Sequence, residues 1–237
     1  MPNNFNSDSI NILTIVPARG GSKGVTKKNI RIVGNRPLIE WTIESIQKSF
    51  IKDDFFVSTD NEEISKISSA MNAKIIDRPA ELATDESQAI DLILHSISAA
   101  EEISNLKYDY ILLLQPTSPM RTFNDINNAI EVLNNKKPDS LVSVYKVEDT
   151  HPARMYTIDR GYLNALYEEG NSTRRQDLDE VFHRNGAIYA SSISSLKSTN
   201  KILGGNTIPL IMPKDRSINI DDIQDLQVAD FLLKYKK

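Results

Sequence analysis

The sequence predicts a three-layer α/β/α sandwich built on a mostly parallel sheet. Three observations carry that reading. Stretches patterned as strands and as helices alternate from Ile12 onward, the order in which a parallel sheet is wound. The run Tyr110 to Leu114 is continuously apolar, as a central strand covered on both faces has to be. A chain of 237 residues suffices for one large α/β domain, or for one domain with a sizeable insertion.

The elements follow in order. Ile12, Leu13, Ile15 and Val16 form a short, partly β-branched apolar run that Pro17 ends, so the first strand is placed there. Pro37 opens a helix, where its missing N–H is harmless, and Leu38, Thr42, Ile43 and Ile46 share one face of it. Phe55 to Val57 read as the next strand, ending at Ser58-Thr59-Asp60, with Asp60 placed to cap the following helix. A strand over Ala73 to Ile76 comes next, then a helix with Ile90, Ile93, Leu94 and Ile97 inside and Asp85 as its cap. Beyond the central strand, Thr122 and Asp125 have the spacing of a capping box ahead of Ile126, Ile130 and Leu133. Leu141 to Tyr145 return to strand.

Residues 146–181 break the alternation. Two short strands, Met155 to Ile158 and Tyr162 to Leu166, precede the polar run EEGNSTRRQDLDE. An excursion of that length in a compact domain is usually functional or an interaction element, although an inconsequential surface hairpin has the same pattern. Ala187 to Ala190 and Thr207 to Met212 resume the sheet, and Ile223 to Leu233 form an amphipathic last helix. The expected organisation is one domain over 11–237, with 146–181 inserted and a loose polar lead-in at 1–10.

Composition narrows the function. With 40% hydrophobic and 25% charged residues the chain reads as an ordinary soluble globular protein, expected in the cytoplasm. It has no cysteine, which excludes disulfides, thiol catalysis and thiolate metal sites. The opening MPNNFNSDSI has neither a basic segment nor an apolar core, so no secretory signal is expected, and the longest aliphatic run, Ile111 to Leu114, is too short to span a bilayer. A net charge of −4 with no basic tail argues against nucleic acid and for a small anionic ligand.

That ligand has an evident place. Arg19, Gly20, Gly21, Ser22, Lys23, Gly24, Lys27, Lys28 and Asn29 follow the first strand directly. Between Asn11 and Ile39 there are six basic residues and no acidic one, a local reversal of sign on an acidic chain. Glycines let backbone N–H groups approach an anion, and the cations surround the same spot. No G-x-x-x-x-G-K-[ST] spacing and no G-x-G-x-x-G can be drawn through the loop, so it is neither a Walker A loop nor a Rossmann fingerprint. On its own it reads equally as a polyphosphate site or a solvated basic loop.

The continuation favours the first. PARGGSKG is followed by Lys28-Asn29, VSTD at 57–60, RPAEL at 78–82, LLQPTSPMR at 113–121, RRQ at 174–176, RNGAIY at 184–189 and SINID at 217–221. In kind and order these blocks resemble the acylneuraminate (CMP-sialic acid) cytidylyltransferases, which load CMP from CTP onto nine-carbon acidic sugars. The resemblance implies a nucleotide site of Arg19, Gly20, Gly21, Ser22, Lys23, Lys28 and Asn29, with Arg78 and the stretch Asp85 to Ser87 near the cytidine. It implies a sugar site of Gln115, Arg175 and Tyr189, completed by Arg154 from a partner subunit, with 146–181 as the arm of a homodimer.

Phosphoryl-type transfer of this kind depends on positioning and on stabilising charge, which assigns catalytic roles to Arg19, Lys28 and Asp221. A Mg²⁺ (or Mn²⁺) ion is implied, held in the family by two aspartates at alternate positions. Here the first is Asn219, leaving Asp221 as the main carboxylate, assisted by Asp222 or Asp215. Arg154 stands where the family has a lysine. His151 and His183 have no carboxylate partner in sequence and read as turn or surface residues. Two alternatives stay open: an eight-carbon Kdo cytidylyltransferase, and a catalytically weak nucleotide-binding homologue.

Overall fold

The computed structural model describes residues 10–21, 24–52, 54–167, 174 and 177–235. After β1 (Ile12–Pro17), a two-stranded ribbon of β2 (Ile32–Val33) and β3 (Arg36–Pro37) leads into α1 (Leu38–Gln47). Then come β4 (Phe55–Thr59), α2 (Glu62–Ala70), β5 (Lys74–Asp77), α3 (Ala89–Ser104), β6 (Tyr110–Leu114), α4 (Phe123–Lys136) and β7 (Ser140–Lys146). The hairpin of β8 (Tyr156–Asp159) and β9 (Tyr162–Ala165) forms a small sheet of its own. The chain closes with β10 (Phe182–Ser192), α5 (Ile193–Thr199), β11 (Thr207–Ile211) and α6 (Ile223–Tyr235).

The main sheet runs β11-β7-β10-β6-β1-β4-β5. β10 is antiparallel to both of its neighbours, and the other pairings are parallel. Tyr110 to Leu114 is the middle strand, buried throughout, as its apolar run predicts. The two-residue period divides the core between the faces. Leu13, Ile15, Ile111 and Leu113 meet α3 and α5, while Val16, Leu112 and Leu114 meet α1, α2 and α4. This is the expected three-layer sandwich.

Thr122 and Asp125 form the predicted capping box. Two other caps differ from expectation. Asn61, not Asp60, caps α2, accepting from the N–H groups of Glu63 and Ile64. α3 starts at Ala89 with no side-chain cap, and Asp85 lies outside it. A cap contributes about 1 kcal/mol. Burying side chains such as Ile93 and Ile97 contributes roughly 1.5–3 kcal/mol each, so α3 holds without one.

A third, smaller core matters most for function. Val25, Val33, Leu38, Ile220, Leu226 and Ala229 bring the basic loop, the β2–β3 ribbon, the SINID segment and α6 against one another. Residues nearly 200 apart in sequence thereby become neighbours.

Candidate active site

The chain leaving β1 continues to β4 on one side, and the chain leaving β6 continues toward β7 on the other. Open α/β sheets bind ligands at the C-terminal edge where adjacent strands part in this way. A cleft of about 650 Å³ lies there, lined by Arg19, Lys28, Gln115, Tyr189, Asn219 and Asp221 among others. Ligand clefts run from about 300 to 1,000 Å³, so this one has room for a nucleotide-sized molecule.

At one end the basic loop is locked to the SINID segment. Lys28 Nζ donates to the carbonyl of Ile220 at 2.7 Å. Burial pulls the Lys28 ammonium below its ordinary pKa; Asp221 offsets this in part, and Arg19 adds to it. A Cβ on Gly24 would lie 2.0 Å from the Asp221 carbonyl oxygen, so only glycine lets the two segments touch. At Gly21 the same atom would meet open space. Buried Asn29 donates from Nδ2 to the carbonyl of Arg19 at 2.9 Å, which fixes the start of the loop. Lys27 pairs with Glu63 on the surface, as a solvated neighbour would. Ser22 and Lys23 lie outside the described residues.

Arg19 reaches across the cleft. Its guanidinium donates to the carbonyls of Ala83 (3.3 Å) and Thr84 (2.9 Å) and to Asp85 Oδ1 (2.6 Å). Gly20 N–H donates to Asp60 Oδ1 at 2.8 Å. Ser87 turns its hydroxyl inward to the carbonyls of Leu82 and Thr84. Arg78 lines the cleft but is held by Ser58, with Nη2 donating to its carbonyl at 2.7 Å. Burial pushes the Arg78 pKa down to about 10 against the opposing pull of Asp60.

Asn219 and Asp221 sit side by side, the amide Nδ2 donating to Asp221 Oδ2 at 2.8 Å. Asn219 Oδ1 is buried, and no donor among the described residues reaches it. The amide nitrogen faces Asp221 here; with the amide turned over, one carboxylate and one amide oxygen would suit Mg²⁺, which takes one or two carboxylates and draws its other ligands from water and phosphate. Among the described residues no larger cluster of metal-ligating side chains occurs. Asp222 accepts from the N–H groups of Gln224 and Asp225, as an N-terminal cap of α6 does. Asp215 lies in the short turn Lys214–Arg216.

The other end is built on the sheet. Gln115 follows β6, and Tyr189 comes from β10 beside it. Arg184 also lines this end, a cation that the residue-by-residue reading of the sequence left unassigned although RNGAIY begins with it. Two further residues were missed. Asn185 is buried, accepts from Ser143 Oγ and donates to Ser217 Oγ at 2.9 Å, tying β7 and β10 to the segment that carries Asn219. Buried Arg121 donates to the carbonyls of Gln115 (3.1 Å) and Ala187 (2.7 Å) and to Thr42 Oγ1 (2.7 Å), fixing the turn after β6. Gly186, at φ +74°, leaves no room for a Cβ, which would lie 2.9 Å from Asn219 Oδ1 and 3.2 Å from Gln115 Oε1.

Arg175 lies outside the described residues. Arg154 ends the single turn Pro152–Arg154, is exposed, and is not among the residues lining the cleft. His151 caps that turn, its Nδ1 accepting from Ala153 N–H at 3.0 Å, and the His183 ring packs on Tyr145, so neither histidine joins the site. Among the described residues no helix is long and apolar enough to cross a membrane.

A cytidylyltransferase family model matches residues 13–193. The chain is 31% identical over 219 residues to an N-acylneuraminate cytidylyltransferase of Escherichia coli, an alignment covering 92% of this chain and 51% of that protein. It is 28% identical over 223 residues to a pseudaminic acid cytidylyltransferase of Campylobacter jejuni, covering 94% and 96%. The chain thus spans about half the length of the N-acylneuraminate relatives it matches in bacteria. A solved CMP:2-keto-3-deoxy-manno-octonic acid synthetase complexed with CTP superposes with a TM-score of 0.71 at 14% identity, over 96% of this chain and 100% of that one. A 4-diphosphocytidyl-2C-methyl-D-erythritol synthase from Anaerococcus prevotii gives 0.61 at 15%, over 96% and 97%. Likeness at such identities shows the fold, and it is the sandwich predicted from the sequence.

Proposed function

The chain belongs to the cytidylyltransferase family, and from that premise we propose that it joins CMP from CTP to the anomeric hydroxyl of a nine-carbon α-keto acid sugar, of the sialic, legionaminic or pseudaminic type, releasing pyrophosphate. The observation that carries the reading is one cleft with two unlike ends. Lys28, Arg19 and Asp221 gather at one, and Gln115, Tyr189 and Arg184 at the other.

In this reading the sugar hydroxyl oxygen attacks the α-phosphorus and releases its proton to solvent, the bond from the α-phosphorus to the bridging oxygen breaks, and negative charge grows on the departing pyrophosphate. Lys28 and Arg19 stabilise that charge, and the glycine loop supplies backbone donors. Asn29 and Arg78 contact the nucleoside, and Ser87 reads the base once its hydroxyl turns out of its loop. Gln115 and Tyr189 seat the sugar, and its carboxylate takes an arginine, whose two N–H donors match two oxygens. Asp221, with Asn219 beside it, would hold a Mg²⁺ (or Mn²⁺) ion, which would supply charge neutralisation for the phosphates.

Residues 146–181 are read as a dimerisation arm. The β8–β9 hairpin exposes Ile158 (75%), Tyr162 (77%) and Leu163 (66%), an apolar surface typical of an interface. In a dimer the arm would carry Arg154 to the neighbouring sugar site.

Pyrophosphate release from CTP, followed with sialic, legionaminic, pseudaminic and Kdo acids, tests the whole reading. Release with a nine-carbon acid is the expected result. Release with Kdo alone would establish the eight-carbon alternative, and release with no sugar would leave a nucleotide-binding homologue.

A further inference from the structure

Two donors that a triphosphate would be expected to occupy are each held by a carboxylate. Arg19 Nη2 donates to Asp85 Oδ1 at 2.6 Å, and the adjacent Gly20 N–H donates to Asp60 Oδ1 at 2.8 Å. Neither aspartate does what its place in the sequence suggests. α2 is capped by Asn61, and α3 begins on Gln88 without a side-chain cap. Both instead turn toward the basic loop that follows β1. A carboxylate and a phosphate present the same chemistry to these donors, a pair of anionic oxygens.

We propose that Asp85 and Asp60 are positioning residues that stand in for phosphate in the nucleotide-free cleft, holding Arg19 and the Gly20 N–H in receiving geometry and yielding them to an incoming di- or triphosphate. The inference rests on reading this cleft as the nucleotide site. The Arg19 and Asp85 side chains are each about a third exposed (31% and 29%), and ion pairs of that exposure are weak enough to be exchanged. A polyphosphate brings more charge than one carboxylate, so the exchange runs toward the ligand.

The exchange extends beyond one contact. Arg19 Nη1 also donates to the carbonyl of Thr84, and that oxygen accepts the Ser87 hydroxyl at 2.8 Å. Drawing Arg19 onto a phosphate therefore removes a support of the loop that ends at Ser87.

The sign of one substitution tests this. Asp85→Asn keeps the size of the side chain and removes the competing charge. Affinity for inorganic pyrophosphate, measured by titration calorimetry on the full chain at fixed Mg²⁺, should rise by about three- to tenfold at low salt, with the gain shrinking as ionic strength rises. Asp85→Ala should change affinity in the same direction. Asp60→Asn should give a smaller gain, because its partner is a backbone N–H without formal charge. On an Arg19→Ala background the gain from Asp85→Asn should be smaller, because the contact it relieves is already gone.

Unchanged or weaker pyrophosphate binding in both Asp85 variants would overturn the placeholder role, since a strut or a cation-holding carboxylate predicts that result. If wild type binds pyrophosphate and Arg19→Ala loses it while Asp85 is indifferent, only the placeholder falls. If wild type binds none, the nucleotide reading falls with it.

Discussion

At the Lys28 end of the cleft the groups are held by backbone from distant segments, whereas at the Gln115 end they come from the end of β6 and from the adjacent antiparallel strand β10. Lys28 is bound to the Ile220 carbonyl, Gly24 touches Asp221, and Asn29 pins Arg19. Gln115, Tyr189 and Arg184 line the other wall, while Arg154 sits exposed in the turn ahead of the β8–β9 hairpin. The difference suggests a division of labour. On the proposed reading the first end is pre-formed within one chain, and the second would be finished by another copy. Substitutions should then act differently at the two ends.

The largest effect is expected where the first end has least redundancy. With Asn219 in place of a second aspartate, Asp221 is the only carboxylate of the pair. Asp221→Asn should lower turnover by roughly 10³-fold or more, and excess Mg²⁺ should not fully restore it. Asn219→Asp should keep activity or lower the Mg²⁺ required, because it adds charge to an oxygen-ligand pair. Titrating Mg²⁺ against pyrophosphate release checks both; an indifferent Asp221→Asn would remove the metal from this end of the cleft.

Lys28 comes next. If Lys28 stabilises the leaving group as proposed, Lys28→Ala should reduce turnover by ~10²-fold, with the sugar KM little changed. Its pKa is lowered chiefly by burial, so the charge is lost as pH rises through a value below the ordinary lysine range. The alkaline limb of kcat/KM for CTP, which reports the free enzyme, should therefore begin earlier than an exposed lysine would give, and the limb of kcat, which reports the CTP-bound enzyme, should lie higher because the triphosphate supplies a counter-charge. A limb unaltered in Lys28→Arg would assign the titration to another group.

Much of this was legible before the fold was known, for physical reasons. Strand and helix periods reveal which residues face a core, so Tyr110 to Leu114 and the Thr122–Asp125 cap could be placed from sequence. Strand direction leaves no such trace. Ala187 to Ala190 reads the same whether β10 runs with its neighbours or, as it does, against them. Caps were legible only when unrivalled. Asp60 and Asn61 are adjacent and both suit the start of α2, and the basic loop attracts the charged one. The contacts of Arg121 and Asn185 were hidden because their partners lie on four other elements. Arg184 was visible in RNGAIY, but a motif names a residue without saying which side of a strand it takes.

The smallest and most discriminating effect concerns the unfinished end. Two strands alone are marginal in water, and this hairpin leaves Ile158, Tyr162 and Leu163 largely exposed, so covering it with a second copy would bury apolar area while carrying Arg154 toward another cleft. Arg154→Ala should then raise the sugar KM about tenfold with CTP binding almost untouched, the loss expected for one exposed charge-assisted contact. Dimer symmetry permits a sharper test. When Arg154→Ala subunits are mixed equally with Arg19→Ala subunits, half of the dimers carry one of each, and one of their two clefts has both residues intact. Below the sugar KM the mixture should recover roughly a quarter of wild-type activity, where neither variant alone approaches it. Sedimentation as a monomer at assay concentration, or no recovery from a mixture shown to exchange subunits, would return the sugar site to a single chain and make Arg184 its carboxylate partner.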